Sequence, residues 1–325
     1  MSPKWLHLPS LAAVVLLAGC RTGGGGAAGF RVAEEGGKVR IEQAGRLVSE
    51  YHFRDVSRPF LYPILGPDDV HLSRRWPQET VPDEEHDHPH HHAMWWAHGE
   101  ANGEDFWSES PKAGRTVHQY FTRLSGGKQA VVAARNRWVA KSGEVVAEDE
   151  RRMTFHAPAG DVRVMDFEIT VFAGPKGLHL GDTKEGTMAI RLAESMRLMQ
   201  PKKVKGAGHI LNSEGLRDDD TWGRRAAWCE YNGPVGGGTY GVTMLDHPSN
   251  PRFPTWWHVR DYGLFAANPF GLHDFEKKPV GAGDMKIDAG ATVTFRYRFL
   301  LHRGAWDAAR IAQHQKAFAE GRALP

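Results

Sequence analysis

Cysteine is nearly absent from this chain. Cys20 and Cys229 are the only two in 325 residues. With Cys20 spent near the N-terminus, no intrachain disulfide can staple the remainder, so burial of apolar side chains must hold it together. Cys229 lies in "RAAWCEYNG", where apolar residues alternate, and reads as a small buried hydrophobe. An excess of one charge is lacking too. Lys and Arg total 41 against 39 Asp and Glu, a net charge of +2. That is too weak a field to gather nucleic acid or an anionic bilayer, so neither is an expected partner. After Cys20 no apolar run approaches the roughly 20 residues of a membrane-spanning helix. Tight metal signatures such as His-Glu-x-x-His or paired Cys-x-x-Cys are also missing.

The first residues do have a pattern. Met1–Ser10 carries one Lys and no acid, "LAAVVLL" (11–17) is a short apolar run, and "LAGC" closes it at Cys20. The run suits the h-region of an export signal. Small residues before a Cys resemble the bacterial lipobox, in which the Cys is lipidated. "RTGGGGAAG" (21–29) then reads as a flexible tether. The expected organisation is a lipoprotein signal over 1–20, a Gly-rich tether over 21–29 and one domain over 30–325. The expected location is outside the cytoplasm, lipid-anchored at the membrane, periplasmic or cell-surface.

Within that domain, period-two alternation dominates. "FRVAEEGGKVRIEQAGRLVSEYHF" (30–53) alternates apolar and polar residues between Gly-containing turns, as short antiparallel strands do. The same signal returns at 116–124, 129–140, 144–157, 162–174, 187–193, 225–233, 239–246 and 292–302. Helical spacing is clear only in the tail, "AWDAARIAQHQKAFAEG" (305–321). Segments 57–115, 197–224 and 246–285 read as long irregular connections holding most of the Trp, Pro, His and Asn. Long connections on a rigid scaffold are where sites are built. The loops 86–107, 180–187, 209–222 and 247–270 are therefore expected to meet on one face.

The densest stretch is "DHPHHHAMWWAHGEANGEDFW" (87–107). Six of the 18 histidines fall between His86 and His98. Pro89 argues against a helix and favours extended backbone, in which alternate side chains share a face. His88 and His90 then point one way and His91 the other, with His98 joining from beyond the Trp pair. Imidazoles with a carboxylate suit zinc, iron, copper or manganese, so His88, His90 and His98 are the candidate ligands of a divalent metal. The same groups serve as acid–base catalysts without metal, because histidine titrates near neutrality and a carboxylate partner fixes its tautomer. A solvated histidine loop is the plain alternative. Trp95, Trp96 and Trp107 offer walls for a sugar ring, while Asn102, Glu104 and Asp105 offer bonds to its hydroxyls.

The second dense stretch, "DHPSNPRFPTWWHVRDYGLFAANPFG" (246–271), supplies Asn250, His258, Arg260 and Asn268. Arg260 can clamp a carboxylate or phosphate bidentately, or form a structural salt bridge with an acid such as Asp261. Between the two stretches, Glu185 and Glu214 are further acids for general catalysis. The candidate catalytic set is His88, His90, His98, Asp105, Glu185 and His258. The candidate substrate-binding set is Trp95, Asn102, Trp107, Glu214, Asn250, Arg260 and Asn268.

These stretches, with "RPFLYPI", "GDTKEGTMAIRL" and "NSEGL…TWGRRAAWCEYNGP", resemble a bacterial family labelled "PmoA family" or "methane oxygenase PmoA", across essentially the whole of the chain after Cys20. Asp87, His88, His90, His91, His98, Asn102, Asp105 and Trp107 match its pattern. The family's Asp-His-Pro-His-His-Arg-Gly reads here with His92-Ala93 as its last pair, which weakens His92 as a functional residue. A methane monooxygenase subunit is an integral membrane protein, whereas this chain has a mean hydropathy of −0.49 and no spanning run after Cys20. Proteins resembling the pattern tend to belong to polysaccharide-degrading bacteria.

The reading that joins these observations is an all-β chain, a large antiparallel β-sandwich of the supersandwich, galactose-mutarotase-like kind, with one C-terminal α-helix. Its expected function is that of an exported lipoprotein acting on a carbohydrate or glycoside by His/carboxylate chemistry, as a hydrolase, lyase or epimerase. A metal-dependent hydrolase or oxygenase and a non-catalytic sugar-binding lipoprotein are the alternatives.

Overall fold

The computed structural model describes residues 29–325. The export signal, Cys20 and the tether up to Ala28 lie outside the described residues. The chain begins with β1 (Phe30–Glu35), β2 (Lys38–Gln43) and β3 (Arg46–His52). After β4 (Phe60–Leu61) and β5 (Met94–His98) come four long strands. These are β6 (Arg115–Ser125), β7 (Ala130–Val139), β8 (Val145–Phe155) and β9 (Val162–Ala173). Shorter ones follow: β10 (Leu178–Leu180), β11 (Gly186–Arg191), β12 (Met199–Gln200), β13 (Val204–Lys205) and β14 (His209–Asn212). Then come β15 (Trp228–Val235), β16 (Gly238–Asp246), β17 (Trp256–Val259) and β18 (Leu264–Asn268). The chain closes with α1 (Leu272–Glu276), β19 (Met285–Ile287), β20 (Thr292–Arg303) and α2 (Ala308–Ala319).

Two eight-stranded antiparallel sheets carry the fold. One runs β1-β2-β3-β4-β5-β11-β18-β17 and the other β14-β15-β16-β20-β9-β8-β7-β6. Their inner faces share one continuous apolar core, in which Trp96 of β5 meets Trp138 of β7 at 5.2 Å between ring centroids. The expected large antiparallel β-sandwich is what forms. The tail helix is capped by Asp307, which accepts from Arg310 N at 2.8 Å, and it buries Ile311, Ala317 and Phe318. The structure adds the five-residue α1, which is too short for sequence periodicity to register.

The expected irregular segments are the main difference. Strands β4, β5, β14, β17 and β18 fall inside 57–115, 197–224 and 246–285, and most of them sit mid-sheet. "MWWAH" and "LFAAN" are buried along their whole length. A strand covered on both faces has no polar side, so alternation disappears from its sequence. On the outer face of the first sheet, the long connection between β4 and β5 covers β5, where His91 stacks on Trp95, while Trp222 and Phe275 cover His258 of β17.

A polar cluster crosses the interior and ties that connection down. On β8, Asp149 accepts from Asn136 Nδ2 at 2.7 Å, Trp138 Nε1 at 2.6 Å and Arg151 Nε at 2.9 Å. Arg151 then spans the sandwich to donate to the Pro59 carbonyl at 3.3 Å. The buried cation is paired and hydrogen-bonded, as burial of a charge requires. Its far end fixes the backbone beside Arg58, the first residue of the site's framework.

Candidate functional site

The site floor is a single row of side chains on the outer face of the first sheet. Register pairs Phe60 with Trp95, Trp95 with Ala189, Ala189 with Ala266, and Ala266 with His258. Residues directly opposite in an antiparallel ladder share a face, so this row lies opposite the row containing Trp96. Two alanines in mid-row leave the space that larger neighbours fill from above. At the end of β5, Gly99 passes close to Glu185: a Cβ there would stand 2.8 Å from the Glu185 Cβ and 3.0 Å from its carbonyl oxygen.

The histidine segment covers the floor as a turn. Pro89 follows His88, and His91 N donates back to the His88 carbonyl at 2.9 Å. The expected extended alternation is therefore wrong: His88, His90 and His91 gather together, and His91 does not face away. His88 and His91 stack at 4.7 Å between centroids, and His90 stands edge-on to His91 at 4.5 Å. His92 leaves the group, stacking on Phe60 and bonding Glu109 at 2.7 Å.

Three buried arginines hold the turn. Arg74 Nη1 donates to Asp87, while its Nη2 donates to the carbonyls of Asp87 at 3.0 Å and His88 at 3.1 Å. Arg191 Nη2 donates to both Asp87 oxygens at 3.1 and 3.3 Å, and its Nη1 lies 3.3 Å from His91 Nδ1. Arg58 donates to the carbonyls of His90, at 3.1 Å, and of Trp107. This grip sustains a φ of 41° at His88, a left-handed conformation that costs a residue with a Cβ about 1–3 kcal/mol.

Asp87 completes a pair with His88, whose Nδ1 lies 2.7 Å from Asp87 Oδ2. Burial pushes the Asp87 carboxyl up, but the His88 bond and the Arg191 and Arg74 charges outweigh it and hold it well below the usual range. Asp87 is thus a permanent anion. It orients Nδ1–H toward itself and leaves His88 Nε2 for proton exchange.

Around this turn opens a cleft of about 620 Å³, within the roughly 300–1,000 Å³ of small-ligand sites. His88, His90, His91, Asp105, Trp107 and Ser108 line one part; Lys184, Glu185, His258, Arg260 and Tyr262 line the rest. Three of the four expected loops meet in it directly. The fourth reaches it through Trp222, whose Nε1 donates to His258 Nδ1 at 3.1 Å. Tyr262 stacks on His88 at 5.3 Å and 9°. Burial pulls His90 down to about 4, helped by the Arg58 and His88 charges. Burial, with Arg260 and Lys184, pulls His258 down to about 3. Burial and the neighbouring His90 and Arg191 charges push His91 further down in the same direction. These three imidazoles are neutral hydrogen-bonding groups at neutral pH.

The remaining candidates fall elsewhere. His98 sits on the inner face of β5, fully buried against Phe270, with Nε2 3.1 Å from the Gly181 carbonyl. It can be neither a cleft catalyst nor a ligand with His88 and His90, because strand alternation turns it to the opposite side of the sheet. Among the described residues no group of three or more His, Cys, Asp and Glu is arranged to hold a metal ion. Asn102 pins an exposed turn to Gly177 and His179, and Glu214 occupies another exposed turn. Asn250 is buried between Asp246 and Arg296. Asn268 donates to Thr183 O at 2.9 Å, so it positions the Lys184–Glu185 loop and touches nothing in the cleft. Trp95 is floor, covered by His91 at 5.3 Å. Asp105 lines the cleft, with one oxygen accepting from Trp107 N at 2.6 Å and Ser108 N at 3.0 Å.

Sequence reasoning missed Arg58, Arg74, Arg191, Lys184 and Tyr262. A signal existed for Arg191, a charge inside the apolar run "TMAIRL", since a buried charge demands a partner.

The matching family model, that of a family of unknown function (DUF6807), covers residues 38–316. The chain belongs to that family. Similar solved structures include a GalM/aldose epimerase homologue from C. elegans, at 7% identity and a TM-score of 0.35 over 86% of this chain and 100% of that one. Another is a galactose mutarotase related enzyme from Lactobacillus acidophilus, at 9% identity and a TM-score of 0.30 over 85% and 97%. No curated protein matches the sequence.

The buried neutral histidines make stability depend on pH in a defined direction. His98, drawn to about 3 by burial, joins His90 and His258. An unfolded chain protonates its histidines near pH 6.5, so below that pH it takes up protons that the folded chain refuses. Stability is full above about pH 6.5 and is lost as pH falls toward about 4, at a limiting slope of about 1.4 kcal/mol per unit for each fully buried imidazole. The melting temperature should drop clearly between about pH 7 and about pH 4.5. A flat or rising melting temperature over that window would contradict the placement of these rings.

Proposed function

We propose that this protein is an exported, lipid-anchored, carbohydrate-active enzyme working by acid–base chemistry. One observation carries the reading. His88, oriented by Asp87, lines a cleft that also holds a second carboxylate, Glu185, with the aromatic side chains of Trp107 and Tyr262 in its wall. A sugar presents an apolar ring face and a rim of hydroxyls. Aromatic rings cover the face, and neutral imidazoles donate to or accept from the rim. His258 illustrates the second role: with Nδ1 accepting from Trp222, its Nε2 carries the proton and donates.

Proton transfer falls to His88 and Glu185. His88 Nε2 takes or gives a proton while Asp87, held by two guanidiniums, stabilises the imidazolium that forms. Glu185 supplies the second carboxylate, with Lys184 Nζ at 3.4 Å. Hydrolases, lyases and epimerases of sugars share the need for such a pair, so the proposal covers a reaction of one of these types. Export and anchoring are supported by the Leu17-Ala-Gly-Cys20 sequence and the Gly-rich tether.

A non-catalytic sugar-binding protein is the second reading, favoured by the neutral state of His90, His91 and His258, which suits hydrogen bonding more than proton transfer. A panel of glycans and glycosides, followed for both binding and conversion, separates the two. Wild type should convert at least one member, and His88→Ala should lower its turnover by about 10²–10⁴, the usual worth of a general acid or base. Binding without conversion supports the second reading; neither binding nor conversion overturns both. In cell fractionation, Cys20→Ser should move the protein out of the membrane fraction, and unchanged membrane association would refute the anchor.

A further inference from the structure

Among the ionic groups of the cleft, Arg260 stands out because nothing among the described residues answers its charge. Lys184 lies 3.4 Å from Glu185 and 3.9 Å from Asp274. Asp105 accepts from two backbone N–H groups and the Ser108 hydroxyl. His88 has Asp87. The Arg260 guanidinium, among the described residues, has neither a salt bridge nor a hydrogen bond, and the adjacent Asp261 does not reach it. It is held between two aromatic rings, 5.9 Å from the Trp222 centroid and 5.5 Å from that of Tyr262. Stacking restricts the guanidinium while leaving its N–H fork unused, and that fork matches a carboxylate or a sulfate.

The surface continues beyond Trp222 in the same character. A recess of about 550 Å³ is lined by Trp222, Arg224, Arg225, Phe275 and Lys277. Phe275 stands edge-on to Trp222 at 5.5 Å, forming an aromatic ridge between cleft and recess. Arg225 is occupied, donating to the carbonyls of Pro254 and Arg252 and lying over Trp256. The side chains of Arg224 and Lys277 have no partner among the described residues. The one acid of the recess, Glu276, accepts from Trp256 Nε1 at 2.8 Å. Unanswered positive charge thus lies on both sides of Trp222.

We propose that the ligand is an anionic oligosaccharide, one acidic unit seated in the cleft on Arg260 and the next carried over Trp222 toward Arg224 and Lys277. The inference rests on the carbohydrate reading above and narrows its substrate class. The acidic group is a carboxylate, as in a uronide, or a sulfate ester; both fit the same fork.

Calorimetric titration of the full chain tests it with uronide trisaccharides (galacturonate, glucuronate and mannuronate), their carboxyl-reduced neutral counterparts, and sulfated neutral trisaccharides. At least one acidic series should bind about tenfold or more tighter than its neutral counterpart, as an added charge-assisted hydrogen bond gives. Preference for the uronide assigns the carboxylate, and preference for the sulfated series assigns the sulfate. Arg260→Gln should abolish the preference, and Arg260→Lys should restore part of it. Arg224→Gln with Lys277→Gln, both on the surface, should reduce trisaccharide affinity while sparing the monosaccharide. Equal affinity for neutral and acidic forms in wild type, or an undiminished preference in folded Arg260→Gln, overturns the inference and leaves the carbohydrate reading standing. Failure to bind or convert any saccharide brings down both.

Discussion

The structure around the cleft depends on one interaction: the carboxylate of Asp87 held between the guanidiniums of Arg74 and Arg191. Both arginines are fully buried. Burial draws Arg191 down to about 10, so it stays charged at neutral pH. Two buried cations need a counter-ion, and removing one member of a buried charge group typically costs about 3–5 kcal/mol. Asp87 is that counter-ion, and it brings His88 with it. The fold's demand for charge pairing and the site's demand for an oriented imidazole are met by the same carboxylate.

The sandwich supplies the rest as rigid support. Three mid-sheet strands and the edge strand β17 present Trp95, Ala189, Ala266 and His258 in one row, so the turn above them rests on a surface that cannot shift independently. Arg58 fastens the backbone of both His90 and Trp107. Arg151 fixes Pro59 beside it from the opposite sheet. Side chains locked by packing and second hydrogen bonds are what a chemical site requires. Here they run unbroken from core to cleft.

How much of this was visible in the sequence follows burial. The hairpins at the start and the long strands of the second sheet alternate because many of them keep a polar face toward solvent, and their positions were readable within a residue or two. Strands β5, β17 and β18 were not, because they are buried on both faces, with His91 over Trp95 of β5 and Trp222 and Phe275 over His258 of β17, which erases the alternation. The site's composition was legible in the density of His, Trp and Pro over 86–107 and 246–271. Its geometry was not. The turn at His88 is set by Arg74 and Arg191, which lie 13 and 104 residues from the Asp87 they hold, and no local pattern records that pairing. His98 looked like a partner of His90 by proximity, yet its place in β5 sends it through the sheet. Asn250 and Asn268 looked like sugar-binding amides and instead satisfy buried backbone.

The central claim is that Asp87 does chemical work through His88 beyond neutralising two arginines. Steady-state kinetics of Asp87→Asn, on whichever saccharide the wild type converts and in protein with native near-UV circular dichroism, tests this most directly. The account predicts that kcat falls by about 10²–10⁴ with little change in KM, because the amide can present N–H to His88 and loses the charge that stabilises its protonated form. A kcat within about twofold of wild type in that folded variant would contradict it.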